Sequence, residues 1–416
     1  MGLRRSYRAF NAALGSLYEN DFLELANGTD VPEFDDTAFF DAAGMVYNAG
    51  SFDASMLNTP EARRLVAETL HQIKRGIDSG LPHEVPEVVR HALENNAFIF
   101  SGFKAYHTLR EVGLSLVTDK GDIKPFETFR RDVEAVNNRY NHNYLYAEYN
   151  HAVGSSLMAA RWQQIEADGG RYDLQYRTAQ DDRVREDHAI LHGTTLPPSD
   201  PFWSLYLPPN GWNCRCTAVQ VRKGKYPQSD PALSMLRGNN CTETAKQQIF
   251  RFNPGKELNL FPPKHPYYKA PDVAKKVIEQ HAAEREREYI AQRRREIREY
   301  MAEHLDEPLV NPEFHRTATM SGGSVKEFLN QPHKYYREKN ELLMDIKRVF
   351  KSARYLGFNP AYIKKGLKHS HVFEIALCGE KSWLLVREYE DGRCFVYSCG
   401  DSPKVATELI KEKDPE

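Results

Sequence analysis

The side chains best suited to chemistry lie in the segment 176–221. Cys214 and Cys216 stand one residue apart, and His188 and His192 precede them. Thiolate and imidazole groups are the ligands that zinc prefers in proteins. Two histidines four positions apart also share one face if their turn is helical. These four residues therefore form a candidate structural zinc site, although structural zinc sites usually space their cysteines more widely.

The same segment has a second interpretation, in which hydrogen bonds hold an irregular loop. Asp181 is followed closely by Arg183 and Arg185. A carboxylate and a guanidinium group form strong, often paired hydrogen bonds, and free cysteines often pack as small apolar side chains. Because the cysteine spacing is unusual for a structural metal, we favour buried Asp–Arg pairs that staple the loop.

A second group of reactive side chains lies near the C-terminus, where runs 369–378, 383–389 and 394–399 predict three strands of an antiparallel sheet. Side-chain alternation places His369 and His371 on one face of the first strand, next to Lys368. The other candidate catalytic residues on or after the following strands are Arg387, Tyr397, Asp401 and Ser402, and the run His315-Arg316-Thr317 adds groups to the same cleft.

Such a set matches the needs of metal-independent RNA cleavage. A base takes the proton of the 2′-OH, cations stabilise the phosphorane, and an acid protonates the leaving 5′ oxygen. A structural explanation stays open, because histidines and lysines are common at solvated strand ends. For Arg387 it is favoured, since cross-strand pairing with Glu374 or Glu388 would occupy the guanidinium.

Composition limits the classes of protein. The chain has 416 residues, a formal net charge of −2 and a pI near 6.7, so any contact with nucleic acid must come from a local patch. The six cysteines follow no disulfide framework, which suits a reducing compartment. No apolar run approaches the roughly 20 residues of a membrane span. We therefore expect a soluble intracellular protein with no membrane partner.

The elements that must position these residues predict an α+β multidomain protein. Pro60, Pro86 and Pro125 stand at helix starts, Ser101 is a candidate cap for another helix, and 141–167 has helical periodicity. Short strands near 174–178 and 217–221 flank the loop. The predicted divisions are 1–57, weakly organised; 58–270, a mostly helical module with a loop-rich core; 271–308, a charged, solvated helical linker; and 309–416, an α+β domain with a small antiparallel sheet.

The pattern of segment 176–221 resembles the core motif of the phage Mu protein F-like family of minor head proteins, and we name it the signature segment. The matching positions are Asp181, Arg183, Arg185, His188, Gly193, Trp203, Pro208, Pro209, Asn213, Cys214, Arg215 and Cys216. Gly211 departs from the pattern, because many members carry a histidine there. The resemblance implies a phage or prophage head-morphogenesis protein, located in the virion at the capsid interior or portal, with portal and capsid proteins as partners.

The C-terminal part resembles the phage-borne relatives of the barnase, EndoU, colicin and RelE nucleases. The resemblance rests on Lys368-His369-Ser370-His371, on the strand from Trp383 to Arg387, and on Tyr397-Ser398 followed by Asp401-Ser402. It implies a metal-independent RNase-like toxin or effector without a cofactor, which acts on RNA in the bacterial host cytoplasm and has an immunity protein as a partner. The alternative is a purely structural protein whose C-terminal domain binds nucleic acid or a partner without catalysis.

Overall fold

The computed structural model describes residues 2–18, 32–359, 366–407 and 409–410. The chain forms two compact units, Met1–Ala283 and Glu284–Glu416. Both helices and sheets are present, which confirms the predicted mixed α+β class. Among the described residues, every helix is too short or too polar to cross a membrane.

Helices make up most of the N-terminal unit. Helix α3 begins at Pro60 because the Thr59 hydroxyl accepts a hydrogen bond from the Ala62 amide at 3.3 Å, and the proline needs no such partner. Helix α2 is capped by the Asp35 carboxylate. The long helices of this unit are α1 Gly2–Tyr18, α2 Asp36–Ala49, α3 Pro60–Gly80, α4 Glu87–Ser115, α5 Phe126–Asn137 and α6 Leu145–Asp168.

Two sequence expectations for this unit differ from the structure. The stretch 1–57, expected to be weakly organised, contains α1 and α2, and residues 1 and 19–31 lie outside the described part. Ser101 does not begin a new helix, because α4 runs through it without a break. Its hydroxyl donates to the carbonyl of Ala97 at 2.8 Å, one turn back, and so does not cap an amide.

Helix α6 connects the helical core to the signature segment. Leu145 and Ala152 belong to the helical core, whereas Met158 and Trp162 belong to a second core beneath a small sheet. The sheet has the order β2-β1-β3 and consists of β1 Tyr172–Arg177, β2 Thr195–Leu196 and β3 Thr217–Arg222. Short helices fill the rest of the unit: α7 Glu186–Ala189, α8 Phe202–Tyr206, α9 Pro231–Cys241, α10 Ala245–Gln248 and α11 Pro254–Glu257.

Helix α12, Asp272–Glu303, occupies most of the predicted charged linker. Three of its large apolar side chains are buried rather than solvated. Ile278 belongs to the core of the N-terminal unit. Ile297 and Met301 belong to the core of the C-terminal unit. The sequence of this helix contains few apolar residues, but some of them contribute to the hydrophobic cores of the two units.

The C-terminal unit is built on a six-stranded sheet with the order β4-β5-β9-β8-β7-β6. The three predicted strands are present and joined as predicted, but three more strands extend the sheet, and β5 pairs with β9 in parallel. Phe328 and Phe350, from two of its helices, pack on one face. The elements are β4 Leu309–Asn311, β5 Phe314–Thr319, α13 Gly322–Asn330, α14 Tyr336–Glu341, α15 Ile346–Ser352, β6 Arg354–Asn359, β7 Leu367–Leu377, β8 Glu380–Tyr389 and β9 Cys394–Gly400.

Candidate functional site

Strands β1 and β3 bring the two ends of the signature segment together. They pair antiparallel, with Tyr176 opposite Ala218 and Arg177 opposite Thr217. Strand β2 joins the other edge of β1 through Leu174 and Leu196. Residues that follow β1 therefore meet residues that precede β3, even though more than 30 positions separate them along the chain.

An ion pair on the outside of the segment closes this junction. The Asp181 carboxylate accepts hydrogen bonds from Arg215 Nη1 at 2.5 Å and Nη2 at 2.7 Å. These bonds hold the pKa of Asp181 down at about 2. Arg183 lies farther from the same carboxylate, at 3.8 Å. The staple therefore differs from the expected one, because its arginine is Arg215 and the pair is partly exposed rather than buried.

Arg185 occupies a different position, beneath the staple. Its Nη2 donates to the carbonyl of Trp212 at 3.1 Å. A Cβ atom added at Gly211 would lie 2.7 Å from that nitrogen, closer than real Cβ contacts occur. A side chain at position 211 would therefore displace the end of the flexible Arg185 side chain.

The inner side of the same junction carries the sulfur and imidazole groups. His188 Nδ1 lies 3.5 Å from Cys214 Sγ and 3.6 Å from Cys216 Sγ. His188 and Cys216 are buried, and Cys214 is partly accessible. In the described part of the chain, these three residues are the group of histidine, cysteine or acidic side chains compact enough to hold a metal ion.

His192 does not join this group. Its Nδ1 accepts a hydrogen bond from the amide of Thr178 at 3.2 Å and lies 2.9 Å from the Thr178 hydroxyl. The expectation that His188 and His192 share a helical face fails because α7 ends at Ala189. The ring of His192 instead anchors the chain just after β1.

The three inner groups influence one another's protonation. The hydrogen bond with Cys216 holds the pKa of Cys214 well below its usual value despite burial, and the same bond, with burial, raises the pKa of Cys216. Burial alone would lower the pKa of His188, but the Cys214 thiolate outweighs it and raises the value to about 10. These directions favour a proton on His188 and make Cys214 the more acidic of the two thiols.

Asn213 and Trp203 support the cluster by shaping the chain around it. Asn213 has a φ of +54°, in the left-handed region that asparagine tolerates better than most residues. Its side-chain oxygen accepts a hydrogen bond from Asn150 of α6 at 2.8 Å. Trp203 is fully buried, and its carbonyl accepts a hydrogen bond from Asn253 at 2.9 Å.

In the C-terminal unit, the predicted histidines lie at one end of the sheet around Glu388. The His371 Nε2 atom is 2.9 Å from Glu388 Oε2, and the His371 Nδ1 atom is 2.8 Å from the Tyr355 hydroxyl. Lys368 Nζ donates to Glu388 Oε1 at 2.9 Å, and Arg316 Nε lies 3.4 Å from that oxygen. A nearly buried carboxylate thus has an imidazole and two cations around it.

Burial divides these groups into inner and outer ones. His371 is fully buried and Glu388 is 2% exposed, whereas half of the Lys368 side chain and about a third of Arg316 are accessible. Burial by itself would raise the pKa of Glu388, but hydrogen bonds from Lys368 and His371 and the charge of Arg316 hold it below its usual value. The carboxylate is therefore charged at neutral pH.

The remaining predicted catalytic residues lie elsewhere. Arg387 alternates with Glu388 along β8 and so points to the opposite face, where its guanidinium lies 3.1 Å from the centre of the Tyr397 ring. This stacking replaces the expected pairing of Arg387 with Glu374 or Glu388. Asp401 accepts a hydrogen bond from the Lys334 amide at 2.7 Å, and exposed Ser402 precedes a 3₁₀ turn.

Sequence reasoning missed Tyr355 and assigned Glu388 a different role. Tyr355 lies on β6, a strand whose sequence shows no clear alternation and contains Gly357 with a φ of +127°. Glu388 was expected only as a partner of Arg387. Glu388 pairs with His369 across β7 and β8, and paired residues lie on the same face of a sheet. The alternation of side chains along β8 therefore indicated that Glu388 lies beside the histidines.

Comparisons with known proteins agree with the first of the two resemblances. Residues 124–219 match the model of the family described as Phage Mu protein F like protein. The chain is 39% identical over 69 residues to "Putative capsid assembly protein F" of Escherichia phage Mu, which is 16% of each chain. It is 38% identical over 85 residues to the Mu-like prophage FluMu F protein of Haemophilus influenzae, which is 18% of this chain and 20% of the relative. The matched part thus spans a fifth or less of either relative.

The C-terminal part matches a different family model. Residues 288–397 match Large polyvalent protein-associated domain 3, which covers most of the C-terminal unit. No solved structure matches the chain. The predicted resemblance to the Mu F-like family is therefore confirmed for the segment 124–219, and the nuclease resemblance stays a prediction.

Proposed function

We propose that the chain is a phage head-assembly protein that joins the virion through its Mu F-like segment, with portal or capsid proteins as partners. The match over residues 124–219 is the observation that carries the proposal. It is supported by the similarity to "Putative capsid assembly protein F" of phage Mu. The matched residues run from just before α5 into β3, so they form a continuous folded part of the N-terminal unit.

The outer surface of the signature segment is the part that would contact the head. Asp181, Arg183 and Arg215 are all at least a third exposed and are held in place by the junction of β1 and β3. Exposed, fixed charges contribute to the specificity of an interface more than to its affinity. We therefore expect the staple to set the shape that the head proteins recognise.

Co-expression with the head proteins of the phage that encodes the chain tests this role. The heads are purified by sedimentation, and the amount of chain that they carry is measured. The Asp181→Arg and Arg215→Asp variants should each reduce incorporation, and the double variant, which restores an opposite-charge pair, should recover it. Equal incorporation of all four chains would exclude the Asp181–Arg215 pair as part of the contact. A complete absence of wild-type chain from the heads would contradict the head-assembly proposal.

For the C-terminal unit we propose metal-independent RNA cleavage, which the arrangement around Glu388 favours. Lys368 and Arg316 are the accessible cations and would bind the scissile phosphate. His369 is the partly accessible imidazole beside them and would exchange protons with the 2′-OH and the leaving 5′ oxygen. His371 is fully buried, so it would position Glu388 and Tyr355 and would not contact RNA.

The products and the metal requirement follow from this chemistry. The 2′ oxygen attacks phosphorus and passes its proton to His369, and the bond to the 5′ oxygen breaks as that oxygen takes a proton from His369. The product ends would be 2′,3′-cyclic phosphates, and a chelator would not slow the reaction. An active domain of this kind would act as an effector in the host cytoplasm, and the cell that produces it would need an immunity protein.

Incubation of the full chain with total RNA, with and without chelator, tests the proposal. The His369→Ala and Lys368→Ala variants should lose about 10²–10⁴-fold in rate, as expected for a general acid or base and its charged neighbour. The matched control is Lys381→Ala, which removes an exposed lysine that pairs with Glu374 on the same strand pair. RNA binding without cleavage by the wild-type chain would leave the non-catalytic alternative.

A further inference from the structure

We infer that His188, Cys214 and Cys216 bind a zinc ion, which joins helix α7 to the chain that enters β3. The three ligand atoms lie within 4.8 Å of one another on segments 26 and 28 residues apart. Unlike the four-residue set suggested by the sequence, this site excludes His192. This inference rests on the geometry of the cluster and does not depend on the head-assembly proposal.

The distances between the ligand atoms fit a tetrahedral zinc centre. Zinc binds thiolate sulfur at about 2.3 Å and imidazole nitrogen at about 2.0–2.1 Å. At a tetrahedral angle these bond lengths place nitrogen and sulfur about 3.6 Å apart. The observed separations from His188 Nδ1 are 3.5 Å to Cys214 and 3.6 Å to Cys216. The ligands therefore need little movement to receive the ion.

The tripeptide Cys214-Arg215-Cys216 explains how both cysteines reach the same side. In an extended chain, alternate side chains point in opposite directions. The two sulfur atoms turn inward to His188, while Arg215 between them turns outward to Asp181. Arg215 of the outer ion pair and the two cysteines of the inner cluster thus belong to one tripeptide. The ion pair with Asp181 fixes the direction in which the sulfur atoms point.

The chemistry of the ligands selects the metal. Two thiolates and an imidazole favour zinc over magnesium or calcium, which prefer oxygen. Two thiolates and a divalent ion sum to no net charge, so the ion offsets the cost of burying charged sulfur. Three protein ligands leave one position of a tetrahedral zinc ion to water.

Metal analysis of the full chain, purified without added metal or chelator, tests the inference. We expect near-stoichiometric zinc in the wild-type protein and at least a tenfold loss in the Cys214→Ser and Cys216→Ser variants. The controls are His192→Asn, which removes the excluded histidine, and Cys378→Ser, which removes an exposed thiol. Both controls should keep their zinc.

A second measurement covers the case in which the cysteine variants do not fold. Wild-type protein stripped with chelator is titrated with cobalt(II), whose absorption in tetrahedral thiolate sites differs from that in water. A saturable spectrum at one ion per chain, displaced by zinc, supports the site. Absence of zinc together with an unchanged cobalt spectrum would overturn it and leave a hydrogen-bonded cluster of the three side chains. Loss of zinc in His192→Asn alone would also overturn the assignment.

Discussion

The signature segment and the Glu388 cluster both place a buried histidine beneath exposed charges, but they are assembled differently. His188 meets its sulfur partners because two neighbouring strands close a single loop. The cluster around Glu388 of β8 draws on three further strands. Arg316 lies on β5, Lys368 and His371 lie on β7, and Tyr355 of β6 contacts His371. The first site depends on one local closure, whereas the second requires four strands of the sheet.

The two sites also differ in where their charged groups lie. At the signature segment the strongest ion pair, between Asp181 and Arg215, lies in partial contact with solvent, and the buried side is made of sulfur and imidazole. In the C-terminal unit the carboxylate itself is buried, and the cations reach it from the rim. Similar residue types therefore hold a loop closed in the N-terminal unit and surround a buried carboxylate in the C-terminal unit.

The largest effect should come from removing the aromatic side chain that seals the signature segment. Trp203 is fully buried in the core beneath β1 and β3. Trp203→Ala should lower the free energy of unfolding of this region by about 3–5 kcal/mol, because it leaves a large cavity. Hydrogen exchange should accelerate in β1 and β3 but not in β7 and β8. Trp203→Phe is the milder control, and equal acceleration in both regions would show that the segment is not a local assembly.

A smaller loss should follow when the charge of the C-terminal cluster is removed. Glu388→Gln keeps the shape but gives up charged hydrogen bonds with Lys368 and His371, each worth about 1.5–3 kcal/mol. Denaturant unfolding of the full chain measures the loss. Glu374→Gln, which affects only a pair with exposed Lys381, should cost much less. Equal losses would mean that the buried carboxylate has no special role.

How well the sequence predicts a contact depends on how far apart its two residues lie along the chain. Period two placed His369 and His371 on a common face, and Pro60 marked the start of α3 correctly. Arg215 was not predicted as the partner of Asp181, since only the pairing of β1 with β3 brings them together across 34 residues. Tyr355 could not be placed either, because its strand is recognisable only once the sheet has formed.

Removal of the Arg387 side chain should cause a smaller loss of stability, because its guanidinium stacks on an aromatic ring. Its guanidinium lies over the Tyr397 ring on the face opposite Glu388. Arg387→Ala should therefore cost about 0.5–1 kcal/mol, the range of exposed cation–π contacts. Thermal unfolding compares it with Arg387→Lys, which keeps the charge. A loss as large as that of Glu388→Gln would place Arg387 in the charged cluster after all.

The Asp181 staple should give the smallest effect, and it should depend on pH. The pKa of Asp181 in the folded chain is about 2, below the value of about 3.9 in an unfolded chain. Its contribution to stability is thus fully present above about pH 4 and is lost as the pH falls toward about 2. Unfolding curves of wild type and Asp181→Asn should converge over that window. A constant difference down to pH 2 would exclude the ion pair as its cause.

Hydrogen exchange of the full chain, free and incorporated in purified heads, tests the central claim most directly. If the Mu F-like segment joins the head, exchange should slow in residues 178–216, where Asp181 and Arg215 present the outer surface. Residues 367–389 of the C-terminal sheet should keep their rate, because the cluster around Glu388 must stay open to RNA. Protection confined to the C-terminal sheet, with an unchanged signature segment, would contradict the account.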